Sequence, residues 1–512
     1  MADPRHATTE SAGGAAAASA SIAGPRHGAG DAGGVGDKTN ALWFKHSSAK
    51  RINTDTLMAR SLAQQYPGLQ LTIAPQAGQA GGGVSLLGYA QAGHARCTAV
   101  EGAAPPAAWT LYVPPRRRLD GDPGQLAHKL NFGKFEYRWR GLDFLLYVVD
   151  GRDGTEPYAA TANQYVLAAE KGQAELLLLA AGAWGQQLHG EVWVFDQGYW
   201  QKSVDLFRSV EGASWDDVIL DQGMKRAIIE DHVSFFESRD TYARLKVPWK
   251  RGIIYHGPPG NGKTISIKAT MHMLHARKEP IPTLYVRTLS SFSGPEYALK
   301  EIFEKARQFA PCYLVFEDLD TIVSDQVRSY FLNEVDGLKS NDGIFMIGST
   351  NHLDRLDPGI SKRPSRFDRK YFFPDPDLQQ RIAYCKFWQR KLADNKDIEF
   401  PDALCGAIAE ITDKFSFAYM QEAFVAALLA IARRSTKGGS GGERRGSEEA
   451  ALTREVGDGW LDVCDDSGDD GGDLDELVLW VEIKKQIETL REGMEAVGGM
   501  AVRNKNRRLQ DL

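Results

Sequence analysis

The chain has 512 residues, 43% of them hydrophobic and 25% charged, with a formal net charge of −6. That length suits about three domains. The composition is that of a globular chain and excludes both wholesale disorder and a bundle of membrane helices. A small negative charge also argues against bulk binding of nucleic acid, so no nucleic-acid partner is expected. Ten acids fall between Glu455 and Glu476 with no Lys or Arg among them, so the rest of the chain is close to balanced.

The five cysteines, Cys97, Cys312, Cys385, Cys405 and Cys464, are far apart. With no C-x-x-C spacing, a zinc site or a disulfide framework is not indicated, and a reducing compartment fits. No apolar run reaches the length of a membrane span, so no transmembrane segment is predicted; the longest candidate, Ala174 to Trp184, is too short.

Residues 1–40 read as a disordered, Ala/Gly-rich tail. Asp3 and Glu10, and the lack of a leucine-rich core, argue against a cleaved presequence. Ordered character begins at Ala41-Leu-Trp-Phe44. Phe135, Tyr137 and Trp139 alternate with charged residues, the period of a half-buried strand, and Leu142 to Val149 reads as its partner. Thr161 to Trp184 reads as one long helix and Glu191 to Phe195 as a further strand. These pieces predict an α+β N-terminal domain at 41–210.

From 211 to 374 strands and helices alternate, which predicts a mainly parallel sheet between helices. Its parts are a helix at Asp221–Ser238 and strands at 252–256, 282–288, 312–317 and 343–350. After Pro374 three apolar stripes at helical spacing predict a small all-α lid at 375–434 and 474–497. They run from Leu378 to Leu392, Phe417 to Ile431 and Trp480 to Met494. A Gly/Ser/acid-rich insert at 435–473 reads as disordered, and 498–512 as a basic tail.

Gly257-Pro258-Pro259-Gly260-Asn261-Gly262-Lys263-Thr264 fits G-x-x-x-x-G-K-[ST] between an apolar strand and a helix. Glycines let the backbone wrap phosphates with its N–H groups, and the helix N-terminus adds its positive end. Lys263 is placed to bridge the β- and γ-phosphates of ATP, and the Thr264 hydroxyl to ligate Mg²⁺. Downstream, the apolar strand Cys312–Phe316 ends in Glu317-Asp318. One of these carboxylates can hold the metal and the other can deprotonate the attacking water. Asn351, in the Thr350-Asn351 pair that ends the strand Ile344 to Ser349, can contact the γ-phosphate and the lytic water. Arg363 and Arg366, on a Pro-stiffened turn, suit an arginine finger, which is worth roughly 10³–10⁵ in rate.

In this order and spacing the motifs resemble the AAA family of ATPases over about 210–434 and the last helix. The resemblance implies a P-loop AAA large α/β domain plus the all-α lid, preceded by the α+β domain. Glu317-Asp318 resembles Walker B, which makes Asp318 the base, with the acids in the reverse of the family's usual Asp-Glu order. Asn351 resembles sensor 1, and Arg363 with Arg366 the finger pair. Trp215-Asp-Asp217 resembles the segment beside the adenine, and Phe415-Ser416 the turn into the lid. Phe292-Ser-Gly294 stands near the aromatic pore loop of members that thread polypeptide. Phe331 to Gly337 and the upstream domain resemble the branch that contains the chaperones of the Rieske subunit of mitochondrial complex III, which carry a membrane helix not visible here.

The resemblance further implies a homo-oligomeric ring, a hexamer or heptamer, whose arginines act on a neighbouring copy. The expected function is Mg-ATP hydrolysis coupled to remodelling, assembly or translocation of a protein cargo. An ATP-gated protein-binding scaffold with little turnover is the alternative. Composition favours a cytoplasmic or nuclear address, and the resemblance adds a mitochondrial one.

Overall fold

The computed structural model describes residue 45 and residues 53–438 and 474–510, apart from 78–81, 102–104, 116–118, 120, 122, 152–160, 337–338 and 364–365. The tail expected at 1–40, the onset at Ala41–Phe44 and residues 439–473 of the insert expected at 435–473 lie outside the described residues, while 435–438 are helical. Two compact units divide the chain, Met1–Gln187 and Leu188–Leu512. Among the described residues no helix is long and apolar enough to cross a membrane.

The first unit comprises α1 (Thr54–Gln65), β1 (Gln70–Pro75), α2 (Leu86–Gln91), β2 (Arg96–Ala99), β3 (Ala107–Val113), β4 (Gln125–Trp139), β5 (Leu142–Gly151), β6 (Thr161–Ala168) and α3 (Lys171–Gln186). Its antiparallel sheet runs β1-β6-β5-β4-β2, with β3 also on β4. Tyr137, Trp139, Leu146 and Val166 pack on one face with Leu86 of α2 and Leu177 of α3. Tyr147, Tyr165 and Leu167 pack on the other with Leu62 of α1. The helix expected from Thr161 to Trp184 is thus a strand followed by a helix. Thr161–Ala168 lies between β1 and β5 and is paired on both edges. Its buried face-to-face neighbours outweigh a composition that passes for helix.

The second unit opens with the hairpin β7 (Val192–Asp196) and β8 (Tyr199–Ser203), then α4 (Val204–Glu211), α5 (Gln222–Glu237) and α6 (Arg239–Leu245). There follow β9 (Arg251–His256), α7 (Lys263–His275), β10 (Thr283–Val286), α8 (Pro295–Gln308), β11 (Cys312–Phe316), α9 (Arg328–Asp336), β12 (Ile344–Thr350) and β13 (Arg369–Phe372). The sheet order is β13-β9-β12-β11-β10-β7-β8, parallel throughout except for β8.

This order corrects the boundary expected at 210. The 191–195 strand, read from sequence as part of the N-terminal domain, pairs with β10 in the second sheet, and the division falls after Gln187. All four residues from Val192 to Phe195 are buried, as a strand inside a covered parallel sheet requires.

The central strands feed two cores. On β11, Cys312, Leu314 and Phe316 join Leu299, Ile302 and Phe303 of α8. Tyr313 and Val315 join Ile267 and Met271 of α7 and Phe235 of α5 on the opposite face. Strand geometry sends successive side chains to opposite faces, so a continuous apolar run is what a sheet covered on both sides needs. β13 was not anticipated; it adds to β9 beyond the last expected strand.

Four helices complete the unit: α10 (Leu378–Lys391), α11 (Asp402–Ile411), α12 (Phe417–Gly438) and α13 (Val478–Gln510). A capping box of Asp377 and Gln380 starts α10. The expected stripes meet in one core, where Cys385 and Trp388 pack with Met420, Phe424, Trp480 and Ile483. The backbone of α13 continues through the segment expected as a basic tail, to Gln510.

Candidate functional site

Ile253, Ile254 and Tyr255 of β9 are fully buried, so the strand delivers the following loop at a fixed edge of the sheet. That loop, Gly257–Gly262, enters α7 with a left-handed residue, Gly262, at the N-cap. No side chain caps the first turn, so its N–H groups keep their capacity for an anion. Gly257, at φ +138°, has no space for a side chain: a Cβ would stand 2.3 Å from the Phe373 carbonyl oxygen. Gly260, at φ +81°, packs under the start of α12, where a Cβ would stand 2.5 Å from the Ala418 Cβ. Ala418 N–H donates to Gly260 O at 3.2 Å, tying loop and helix together.

Lys263 folds back over the loop. Its Nζ donates to the carbonyls of Gly257 and Pro258, at 2.7 Å each. Burial pulls the pKa of this ammonium down, and the Asp318 carboxylate opposes that shift. Asn261, expected among the phosphate-loop residues, holds the loop through its side chain. It is buried, and its Nδ2 donates to Asp375 Oδ1 at 2.8 Å, so the side chain braces the loop rather than lining the cavity.

Glu317 and Asp318 follow β11. The Tyr285 hydroxyl donates to Glu317 Oε2 at 2.5 Å. Glu317 Oε1 is buried and has no hydrogen-bond partner. Asp318 adopts the left-handed conformation, φ +51° and ψ +53°, uncommon outside glycine and best tolerated by Asp and Asn. Its N–H donates to Ser349 Oγ at 3.2 Å, and its side chain is exposed. Beside it, Thr350 Oγ1 donates to Asp320 Oδ1 at 2.7 Å.

One cavity of about 660 Å³ gathers these groups. Pro259, Gly260, Gly262, Lys263, Thr264, Glu317, Asp318 and Asn351 all line it, so motifs up to 92 positions apart in the chain converge. Asp217, which ends the expected adenine-side segment, lines it too, with Val218 and Ile219. Its volume is in the range of small-molecule sites.

Sequence reading missed the opposite wall: Tyr384, Phe387, Trp388 and Lys391 of α10, with Phe417 and Gln421 of α12. The signal was present. Tyr384, Phe387 and Lys391 stand at i, i+3 and i+7, a second stripe beside the core stripe that carries Cys385 and Trp388. Aromatic rings with an ammonium near them give a base a surface to stack on.

Residues 253–375 match the family model of the ATPase family associated with various cellular activities (AAA). This segment is an AAA domain. It runs from β9 past β13 and contains the phosphate loop, Glu317-Asp318, Asn351 and both arginines; the match is to the AAA family as such and names no branch within it. AAA domains are generally ATPases that bind ATP, usually with Mg²⁺. The residues here fit that ion. Glu317 Oε1 is a desolvated carboxylate oxygen without a proton donor, which is the donor type a hard cation takes, and Thr264 faces the same cavity.

Neither Arg363 nor Arg366 lines the cavity of its own chain. Arg366 is buried, with its Nη1 donating to Gly359 O at 2.5 Å and its Nε 3.3 Å from Asp336 Oδ2. Arg363 is exposed, and its side chain has no ion pair among the described residues. Phe292 is fully exposed on the turn closed by Gly294 N–H to Ser291 O, 3.2 Å.

Proposed function

We propose that the protein hydrolyses ATP with Mg²⁺ and couples turnover to remodelling, assembly or translocation of a protein cargo, working as a homo-oligomeric ring. The observation that carries this reading is the convergence of Lys263, Thr264, Glu317, Asp318 and Asn351 on one cavity, opposite an aromatic wall. Lys263 is the group to bridge the β- and γ-phosphates, exchanging its loop carbonyls for phosphate oxygens. Asn351 would orient the lytic water and Asp318 would take its proton. Thr264 and Glu317 would hold Mg²⁺, which when bound neutralises charge on the transferring phosphoryl group.

We read α10–α13 as a lid, since its aromatic wall and the strand-bearing part of the unit share the cavity. Movement of that wall on turnover is the step that would convert chemistry into work. The ring reading rests on Arg363: its guanidinium is exposed and outside its own chain's cavity, which suits it to act on a second copy. The exposed ring of Phe292 supports a role in gripping cargo, and the upstream unit supports a role in choosing it. The upstream unit and Phe331–Gly337 are the basis for placing the protein beside the Rieske-subunit chaperones.

Phosphate release from Mg-ATP by the purified chain tests the chemistry. Asp318→Asn keeps a residue that tolerates the left-handed backbone while removing the base, and should slow turnover by about 10²–10⁴-fold. Equal rates in parent and variant would refute hydrolysis at this site. Phe292→Ala should hydrolyse normally yet fail to move cargo.

A further inference from the structure

We infer that Tyr285 is the positioning residue for the metal-binding carboxylate: its hydroxyl fixes one oxygen of Glu317 so that the other faces the metal position. The inference rests on the nucleotide-site reading above and assigns a role to a residue outside every motif of that site.

The register of the sheet creates the contact. Tyr285 of β10 stands opposite Val315 of β11 in a parallel pair. Side chains two residues apart share a face, so Glu317, two beyond Val315, projects on the side of the sheet to which Tyr285 belongs. The diagonal is too long for a small side chain and within reach of a tyrosine. The Tyr285 ring is packed against the core that holds Tyr313 and Val315, so its hydroxyl is held in place.

The consequence concerns Glu317. A glutamate has one more rotatable bond than an aspartate and more rotamer freedom to lose on binding a cation. With Oε2 held by Tyr285 and Oε1 unpartnered, that freedom is removed before the cation arrives. Such outer partners of metal ligands typically contribute 10–100-fold in metal affinity or activity.

The test is a Mg²⁺ titration of fluorescent ATP-analogue binding to the full chain, which requires no hydrolysis. Tyr285→Phe should raise the half-saturating Mg²⁺ concentration about tenfold and leave analogue binding in EDTA unchanged. In a Glu317→Gln background the same substitution should change nothing further, because the effect passes through the carboxylate. An unshifted titration in Tyr285→Phe overturns the inference, as does an equal shift in both backgrounds, which would mark a packing role. Failure of the parent chain to bind the analogue at all overturns instead the nucleotide-site reading beneath it.

Discussion

Arg366 and Asp336 are ion-paired within the chain, Nε to Oδ2 at 3.3 Å, and Lys250 Nζ meets the other carboxylate oxygen at 2.9 Å. One carboxylate therefore holds two cations on a largely covered surface. Removing it in Asp336→Ala leaves both without that partner. Lost stability of about 2 kcal/mol is expected, below the 3–5 of a fully buried pair because Asp336 keeps some solvent contact. Chemical denaturation of the parent and variant measures it.

Arg363 makes the opposite prediction. Its exposed side chain has no ion pair among the described residues, so Arg363→Ala should change stability by less than about 0.5 kcal/mol. If it completes a neighbour's site, phosphate release should fall by about 10³-fold. In the parent chain, specific activity should also drop on dilution. Arg366→Ala, by contrast, should lose stability as well as activity, so the pair separates a structural arginine from a catalytic one.

Gly260→Ala should weaken nucleotide binding while changing only one methyl group. The left-handed backbone at φ +81° costs a non-glycine residue about 1–2 kcal/mol. The added methyl also meets Ala418 at 2.5 Å. Relief requires the loop and the start of α12 to part, which opens the cavity. A tenfold or greater rise in the analogue's dissociation constant is expected by fluorescence titration, since about 1.4 kcal/mol is a factor of ten.

His232 sets an acid limit on stability. It is completely buried on α5, with ring nitrogen Nδ1 2.7 Å from Ile228 O and its ring stacked on Phe345. Burial first of all lowers its pKa to about 4 from an ordinary 6.5. Between those values the unfolded chain takes up a proton that the folded chain refuses. Stability from this group is therefore complete above pH 6.5, falls as pH drops, and is gone below pH 4. The total is about 3 kcal/mol. His232→Leu should flatten the stability profile over that window, as followed by urea midpoints.

Much of the cavity's phosphate side was legible because its chemistry demands fixed residue types at fixed spacing. A loop that approaches phosphates needs glycines at Gly257, Gly260 and Gly262, and a lysine and a hydroxyl immediately after. The strand that brings Glu317 and Asp318 is apolar on both faces because both faces are covered. The base side was not legible in the same way. Tyr384, Phe387 and Trp388 become a wall only because α10 packs as it does, and an aromatic stripe on a helix looks alike whether it faces a core or a cavity. The 192–196 strand was misassigned for a related reason: a short apolar run carries no mark of which sheet it joins.

Local patterning by itself determined the four strands between Gly252 and Thr350, the phosphate loop and the three apolar stripes of α10, α12 and α13. Each follows from spacing along one segment and the periodicity of one backbone conformation. Tertiary structure alone decided that Tyr285 reaches Glu317, that Asn261 braces Asp375, and that Arg366 is bound while Arg363 is exposed. Those outcomes depend on the register between strands and the packing of segments distant in the chain, distances that no local pattern encodes.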